Sequence, residues 1–347
     1  RSYRCYTIFY QKNKLMNKIS VIDLIGNTPL IYLKKPSEIS GCNIYGKAEF
    51  LNPGQSVKDR AALYIINDAL KKNLLEPGGT IVEGTAGNTG IGIAMVANCY
   101  NINTTIVIPK TQSEEKKSAL RNLGADLIEV EAVPYANPKN YVKYSKDVSL
   151  KLSKNSSKKV YWANQFDNTI NKLSHIETTA TEILKQTNNN IDAFICSVGT
   201  GGTLSGTAEG LKNKKKDVII GLCDPHGSAL FNFIKNNKLS ASGDSITEGI
   251  GTTRITENFK NAKVDEAFQI DDQYALDIIY DLLKYEGLSL GPSSGINVGG
   301  AIELGKKIGP NKNIVTILCD YGSRYSSKIY NKNFLKSKGL RFPGWIS

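Results

Sequence analysis

The sequence has few of the residues that bind metals or form disulfide frameworks. It contains two histidines, His175 and His226, and six scattered cysteines without a C-x-x-C pair: Cys5, Cys42, Cys99, Cys196, Cys223 and Cys319. Zinc sites and disulfide frameworks typically need closely spaced ligands or an oxidising compartment. The composition therefore argues against a metal centre and predicts reduced thiols in an intracellular, cytoplasmic protein.

Long apolar stretches are also missing. No run approaches the roughly 20 apolar residues that span a bilayer, so no membrane association is expected. The chain has 347 residues, of which 40% are hydrophobic. This is enough for one large core or two ordinary ones, and a soluble globular protein is predicted.

Acidic side chains are absent from residues 1–22, which carry five basic ones: Arg1, Arg4, Lys12, Lys14 and Lys18. Such a composition is typical of a mitochondrial transit peptide. Untranslated sequence fused ahead of a start at Met16 gives the same pattern. Residues 1–22 are therefore predicted to be a separate basic segment, disordered or targeting, with the mitochondrion as the alternative compartment.

The net charge of +12 raises nucleic-acid binding as a hypothesis. Much of the excess lies in short lysine clusters between apolar segments, at 153–159 and 212–216. No basic stripe interleaved with aromatic residues is visible, so no nucleic-acid partner is predicted. A basic surface that attracts small anions is equally compatible with this charge.

A repeated order of short apolar run, small-residue loop and helical pattern organises the chain. The clearest examples lie at 79–100, 104–125 and 192–211, and further buried strands are predicted at 218–224 and 313–320. Nearly continuous β-branched strands followed by helices predict parallel sheets covered on both faces.

The fold class is therefore α/β, with two three-layer domains, mainly parallel sheets and a cleft between them. The expected smaller domain comprises residues 53–160. The expected larger domain comprises residues 23–52 and 161–347.

The stretch NPGQSVKDR at 52–60 places a lysine where a helical pattern begins. Ser56 followed by Asp59 predicts a helix cap, with Lys58 as the second residue of the first turn. A cation at this locally positive end is disfavoured by up to about 1 kcal/mol. The same field favours the neutral amine, which can attack a carbonyl. The stretch indicates either a reactive lysine or an ordinary solvated one.

Two glycine loops follow predicted strands. GTGGT at 199–203 directs backbone N–H groups and a helix start to one point, which suits a phosphate. Asp224 supports a dinucleotide fold, but Leu204 stands where its third glycine belongs, and no Walker lysine is present. TAGNTG at 85–90 has similar geometry and suits a carboxylate, and GPSSG at 291–295 precedes another helix. An ordinary tight turn is the alternative for either glycine loop.

Six motifs together resemble the cysteine synthase (O-acetylserine sulfhydrylase) family of fold-type II pyridoxal phosphate enzymes. They are NPGQSVKDR, TAGNTG, QFDN at 165–168, GTGGT, EGIG at 248–251 and GPSSG. The likeness runs from IGNTPL at 25–30 through about residue 326. It implies pyridoxal 5′-phosphate as cofactor, an amino-acid substrate with sulfide as its partner, and β-replacement that makes L-cysteine from O-acetylserine. It also implies a homodimer.

The resemblance implies a role for each matching position. Lys58 is the implied catalytic lysine, which forms a Schiff base with the cofactor. The other implied cofactor-binding residues are Asn88 at the ring oxygen, Gly199, Thr200, Gly201, Gly202 and Thr203 at the phosphate, and Ser293 at the pyridine nitrogen. The implied substrate-binding residues are Thr85, Ala86, Gly87, Thr89, Gln165 and Gly251. No metal is implied.

Three departures leave the substrate open. Ala86 stands where many cysteine synthases have the serine of TSGNTG, TTATEI at 178–183 replaces TTGPEI, and Arg254 follows EGIG. The amino-acid donor is therefore O-acetylserine, O-phosphoserine or cysteine.

The alternative activities are those of cysteine desulfhydrase, cyanoalanine synthase and cystathionine β-synthase. A regulatory domain of the last is not expected, because the sequence reaches only Ser347. Threonine deaminase usually has SFK where this chain has SVK at 56–58. A catalytically inactive binding module is a different class, and the presence of both Lys58 and Asn88 argues against it.

Overall fold

The computed structural model describes residues 18–346. Predictions for residues 1–17, including Cys5 and a start at Met16, lie outside this range. Across residues 18–346 the strands are β1 Leu30–Tyr32, β2 Asn43–Ala48, β3 Thr80–Gly84, β4 Asn103–Pro109, β5 Asp126–Val130, β6 Val160–Trp162, β7 Ala193–Cys196, β8 Ile219–Pro225, β9 Glu266–Ile270 and β10 Asn313–Leu318.

The helices of the same range alternate with these strands. They are α1 Lys34–Ser40, α2 Lys58–Lys71, α3 Asn88–Cys99, α4 Glu114–Asn122, α5 Tyr141–Asn155, α6 Ile170–Ser174, α7 Ala180–Gln186, α8 Gly202–Lys214, α9 Leu230–Asn236, α10 Asp272–Glu286, α11 Pro292–Ile308 and α12 Lys332–Ser337. Short 3-10 helices lie at Val21–Leu24, Glu49–Leu51 and Gly322–Tyr325, and a π-helical turn at His175–Thr179 joins α6 to α7.

The strands form two sheets. One has the order β5-β4-β3-β6, and all its neighbours are parallel. The other has the order β1-β2-β10-β7-β8-β9 and is parallel except for the pair β1 and β2. The predicted α/β class with mainly parallel sheets is confirmed.

Each sheet has its own apolar core. Ile65 and Ile66 of α2 and Ile93 of α3 pack beside the four-stranded sheet and are fully buried. Helix α11 packs on the six-stranded sheet, where a Cβ at Gly300 would lie 2.4 Å from Cβ of Cys223. Because each large aliphatic side chain contributes roughly 1.5–3 kcal/mol on burial, these cores hold the strand ends in place.

Strand β6 lies at the boundary expected between the domains. Val160 pairs with Thr80 in the four-stranded sheet, so the structure continues this sheet to residue 162. The division into residues 53–160 and the rest stays a proposal.

Residues that follow β3, β7 and β10 line one cavity. Ligands of parallel sheets commonly bind at the carboxyl ends of strands. In residues 18–346 no helix is both long and apolar enough to cross a membrane. The same residues contain no group of three or more His, Cys, Asp or Glu side chains that could hold a metal ion.

Candidate active site

A cavity of about 300 Å³ lies where the loops after β3, β7 and β10 meet. A narrower cavity of about 20 Å³ shares Lys58, Thr200 and Cys319 with it. Twelve predicted site residues line these two cavities: Lys58, Thr85, Ala86, Asn88, Thr89, Gln165, Gly199, Thr200, Gly201, Thr203, Gly251 and Ser293. The structure thus brings the predicted set together, and the roles of its members stay predictions.

Gly87 and Gly202 do not line the cavities but support the loops that do. A Cβ at Gly87 would lie 2.6 Å from Cδ of Lys116, and one at Gly202 would lie 2.1 Å from Oδ1 of Asn171. Gly87 also has a φ of +126°, a value that side chains rarely adopt. Glycine is therefore required at both positions by close approach.

Lys58 is the first residue of α2, and its side chain is half-buried at the cavity. The predicted cap at Ser56 is wrong by one residue, because Val57 is the N-cap. Ser56 instead forms an extended bridge with Asp320, and its hydroxyl accepts the N–H of Lys58 at 3.3 Å. The amine is therefore one position closer to the helix start than the sequence predicts.

Asp59 does not cap α2 either. It is fully buried and accepts the N–H of Gly54 at 2.5 Å. Burial raises the pKa of its carboxyl to about 7. Asp59 therefore stabilises the NPGQS turn through its hydrogen bond with Gly54.

Side-chain hydrogen bonds of Thr85 and Thr89 stabilise the asparagine loop, residues 85–89. Thr85 Oγ1 accepts the N–H of Gly87 at 3.0 Å, and Thr89 Oγ1 donates to Gln165 Oε1 at 2.6 Å. Gln165 Nε2 in turn donates to the Gly84 carbonyl at 3.2 Å. Two of the predicted carboxylate-binding side chains are thus joined before any ligand is considered.

The glycine-rich loop, residues 199–203, is packed too closely for side chains. A Cβ at Gly199 would lie 2.3 Å from the carbonyl oxygen of Gly249, and Gly201 has a φ of +92°. Thr200 Oγ1 accepts from Asn171 Nδ2 at 3.0 Å. The Gly202 N–H donates to Thr200 Oγ1 at 3.3 Å, and the loop's backbone lies at the start of α8, where an anion is favoured.

His175 supports this loop and was not predicted as part of the site. Its Nε2 lies 3.2 Å from Thr203 Oγ1, and its Nδ1 lies 2.9 Å from Thr179 Oγ1. Burial, reinforced by the Arg60 guanidinium, lowers the pKa of His175 to about 3. The ring is therefore neutral and orients the Thr203 hydroxyl without adding charge.

Ser293 is almost fully buried near the start of α11 and lines the larger cavity. Cys319 lines the same cavity, and Asn297 Nδ2 donates to its sulfur at 3.2 Å. Burial raises the pKa of Cys319 to about 11, so this thiol is neutral. A neutral hydroxyl and a neutral thiol therefore occupy this end of the cavity.

Charged pairs surround the cavity. Arg254 forms a two-pronged contact with Asp167, at 3.0 and 3.1 Å, and its guanidinium carbon lies 4.4 Å from the ring centre of Tyr135. Lys116 donates to Glu248 at 2.6 Å in a buried pair. Because Arg254 is already paired, its charge is largely balanced where it lines the cavity.

Asp224 is the ribose-binding acid that a dinucleotide fold would need. It is fully buried in β8 and accepts the N–H of Phe231 at 2.9 Å. Burial raises the pKa of its carboxyl to about 6. Asp224 thus stabilises the start of α9, and the dinucleotide alternative loses its acidic residue.

Glu83 is a buried carboxyl behind the Gln165 backbone, whose N–H donates to it at 3.3 Å. Burial raises the pKa of Glu83 to about 8, against an ordinary value of 4.5. The folded protein therefore holds a proton that the unfolded chain releases, so stability falls as pH rises from about 4.5 to about 8.

Replacing Glu83 with glutamine should flatten this pH dependence. A single group with this shift contributes a slope of about 1.4 kcal/mol per pH unit, or roughly 2 °C in Tm. Thermal unfolding at pH 6 and pH 8 should show a smaller fall in Tm for Glu83→Gln than for wild type. The exposed Glu38→Gln should follow wild type, and equal slopes in all three proteins would contradict the assignment.

Two side chains that contact Asn88 were missed by sequence reasoning. Asp320 and Arg324 follow β10 and bind the two ends of the Asn88 amide at 2.6 Å each. The available signal was the position of Asp320, an acidic residue two positions after the end of a buried strand. The position of Asp320 in the sequence does not by itself identify Asn88 as the residue that it contacts.

Comparison with known proteins gives consistent matches. The family described as "Pyridoxal-phosphate dependent enzyme" matches residues 21–320. The chain is 48% identical over 324 residues to cysteine synthase 1 of Emericella nidulans, covering 92% of this chain and 86% of that protein.

Solved structures are also similar. An O-acetylserine dependent cystathionine β-synthase from Helicobacter pylori superimposes with a TM-score of 0.82 at 33% identity, covering 91% of this chain and 100% of the other. A hydrogen sulfide-producing enzyme from Fusobacterium nucleatum gives 0.80 at 35% identity, with 90% and 100% covered.

Proposed function

This chain belongs to the family of pyridoxal-phosphate dependent enzymes, and on that premise we propose that it makes L-cysteine from O-acetylserine and sulfide by β-replacement. The observation that carries the proposal is the convergence of Lys58, the 85–89 loop and the 199–203 loop on one cavity. The similarity to cysteine synthase 1 of Emericella nidulans supports the same activity.

The residues present fit the cofactor. The loop at 199–203 offers backbone N–H groups where a Cβ at Gly199 or Gly202 would clash, so it suits the phosphate. Lys58 and Ser293 both line the same cavity. Lys58 would hold the aldehyde carbon and Ser293 would meet the ring nitrogen.

Pyridoxal 5′-phosphate, when bound, supplies a carbon that takes the substrate amine and a ring that accepts electrons from the α-carbon. Lys58 acts as the general base for the α-proton, because its amine lines the cavity at the start of α2. Thr85, Thr89 and Gln165 hold the substrate carboxylate.

Ser293 determines which reaction follows removal of the α-proton. Its neutral hydroxyl does not stabilise a positive charge on its partner as a carboxylate does, so departure of a β-leaving group is favoured over amino transfer. Acetate leaves with the electron pair of its bond, and the sulfur of sulfide forms the new bond to the β-carbon. Lys58 returns the proton to the α-carbon.

A second candidate, cystathionine β-synthase activity with a thiol amino acid in place of sulfide, is favoured by the similarity to the Helicobacter pylori structure. Cysteine desulfhydrase and cyanoalanine synthase are the further alternatives. The test is to assay the protein with O-acetylserine, O-phosphoserine and cysteine, each with sulfide, cyanide or homocysteine. Cysteine formed from O-acetylserine and sulfide supports the proposal; sulfide released from cysteine alone, with O-acetylserine inert, overturns it.

Ala86→Ser tests the substrate carboxylate site. A serine hydroxyl should add one neutral hydrogen bond, worth about 0.5–1.5 kcal/mol, and should lower KM for O-acetylserine roughly two- to twelvefold. Steady-state kinetics measure this change, with Ala241→Ser on the exposed surface as the control. An unchanged KM would remove position 86 from the carboxylate site.

We also propose a homodimer, as the family resemblance implies. Between residues 18 and 346, six of the eleven exposed large apolar side chains lie close together in sequence: Ile19, Val21, Leu24, Tyr32, Ile39 and Leu51. Sedimentation of wild type measures the subunit number. The compartment, cytoplasm or mitochondrion, stays a prediction.

A further inference from the structure

The Asn88 amide lies between two charged side chains from the segment that follows β10. Arg324 Nη1 donates to Asn88 Oδ1 at 2.6 Å, and Asn88 Nδ2 donates to Asp320 Oδ2 at 2.6 Å. These two contacts occupy opposite ends of one amide. They lie beside the cavity that Asn88 lines.

The chemistry of the two partners allows only one orientation of this amide. A guanidinium has donors and no acceptor, and Asp320 Oδ2 is an acceptor here because the Tyr325 hydroxyl also donates to it. Turning the amide over would place its nitrogen against Arg324 and its oxygen against Asp320, which breaks both bonds. The remaining N–H of Asn88 is thus left as a donor.

Both partners are themselves anchored. Arg324 is 7% exposed, and its Nη2 donates to the Gly54 carbonyl, four residues before Lys58. Asp320 is fully buried and accepts the hydroxyl of Tyr325 at 2.7 Å. The pair cannot turn with Asn88, so it fixes the amide.

Asp320 retains an unsatisfied oxygen. Its Oδ1 is buried without a hydrogen-bond partner, and a Cβ at Gly291 would lie 2.1 Å from it. A buried acceptor without a partner costs roughly 1–3 kcal/mol. The unpaired Oδ1 lowers the stability of the folded protein, so stability alone does not explain a carboxylate at position 320. The contact of Oδ2 with Asn88 offers a different explanation.

We propose that Arg324 and Asp320 are positioning residues, which lock Asn88 as a hydrogen-bond donor toward the ring oxygen of pyridoxal phosphate. This inference rests on the proposed function only in that the cofactor binds in this cavity. A donor stabilises a negatively charged oxygen, whereas a reversed amide would place oxygen against oxygen. The two residues therefore set both cofactor affinity and the charge on that oxygen.

The test measures pyridoxal phosphate binding without any substrate. Asp320→Leu and Arg324→Met should each raise its Kd about tenfold, the loss of roughly one charged hydrogen bond, and should shift the pH titration of the visible absorption band. Asp320→Asn and Arg324→Lys keep an acceptor and a donor at the same places. These conservative variants should remain within about threefold of wild type.

The decisive comparison repeats the substitutions in an Asn88→Ala background. If Arg324 and Asp320 act through Asn88, they should cause no further change in Kd or in the absorption titration there. Effects that add to that of Asn88→Ala, or conservative variants as impaired as the others, would overturn the inference and indicate a structural role.

Thermal unfolding of each apoprotein identifies any variant that fails to fold. In that case the conservative variant at the same position decides the outcome. Failure of the proposed function is distinguishable, because it would leave cofactor binding intact while cysteine formation is absent.

Discussion

Lys58→Ala is expected to abolish cysteine formation, with a loss of at least about 10²- to 10⁴-fold, the range typical of a general acid–base group. The variant should also lose the cofactor that borohydride fixes covalently to wild type, because no amine remains at the start of α2. Steady-state assays measure the first effect. Mass spectrometry of the peptide containing residue 58 measures the second.

Lys71→Ala is the matched control, since Lys71 is an exposed residue at the other end of the same helix. It should retain both activity and covalent trapping. If Lys58→Ala keeps its turnover, or if borohydride fixes the cofactor to another lysine, the role assigned to Lys58 is wrong.

Gly199→Ala is expected to weaken cofactor binding roughly 5- to 150-fold. The added methyl would lie 2.3 Å from the Gly249 carbonyl oxygen, and backbone cannot rotate away as a side chain can. Overpacking of this kind typically costs 1–3 kcal/mol, here about that range of Kd. Fluorescence titration of the apoprotein with pyridoxal phosphate measures the change.

Gly344→Ala serves as the control for this substitution, because nothing lies within 4 Å of a Cβ built there. It should bind the cofactor as wild type does. Wild-type affinity in Gly199→Ala would show that the 199–203 loop does not form the phosphate site.

Local patterns predicted most of the fold. The strands before TAGNTG and GTGGT form where expected, as β3 and β7, and the helices that follow begin at Asn88 and Gly202. Each of these elements depends on residues within a few positions of one another. The start of α2 differs by one residue because Ser56 pairs with Asp320, which is distant in sequence.

The contacts that fix Asn88 could not be predicted in this way. They join residues 232 and 236 positions apart, and a single sequence records no trace of such a pairing. The same holds for Thr203 with His175, where a lone histidine gives no indication of its partner. Motifs identify which residues do the chemistry, while the side chains that orient them depend on the tertiary fold.

The order of strands in the larger sheet has a consequence for synthesis on the ribosome. Strand β10, Asn313–Leu318, lies between β2 and β7, which end at Ala48 and Cys196. The four-stranded sheet is complete once residue 162 has emerged, but the larger sheet lacks its middle strand for another 150 or so residues. Until then the nascent chain exposes two unpaired edges, which are sites of aggregation. Chaperone dependence should therefore be greatest for chains stalled between β7 and β10.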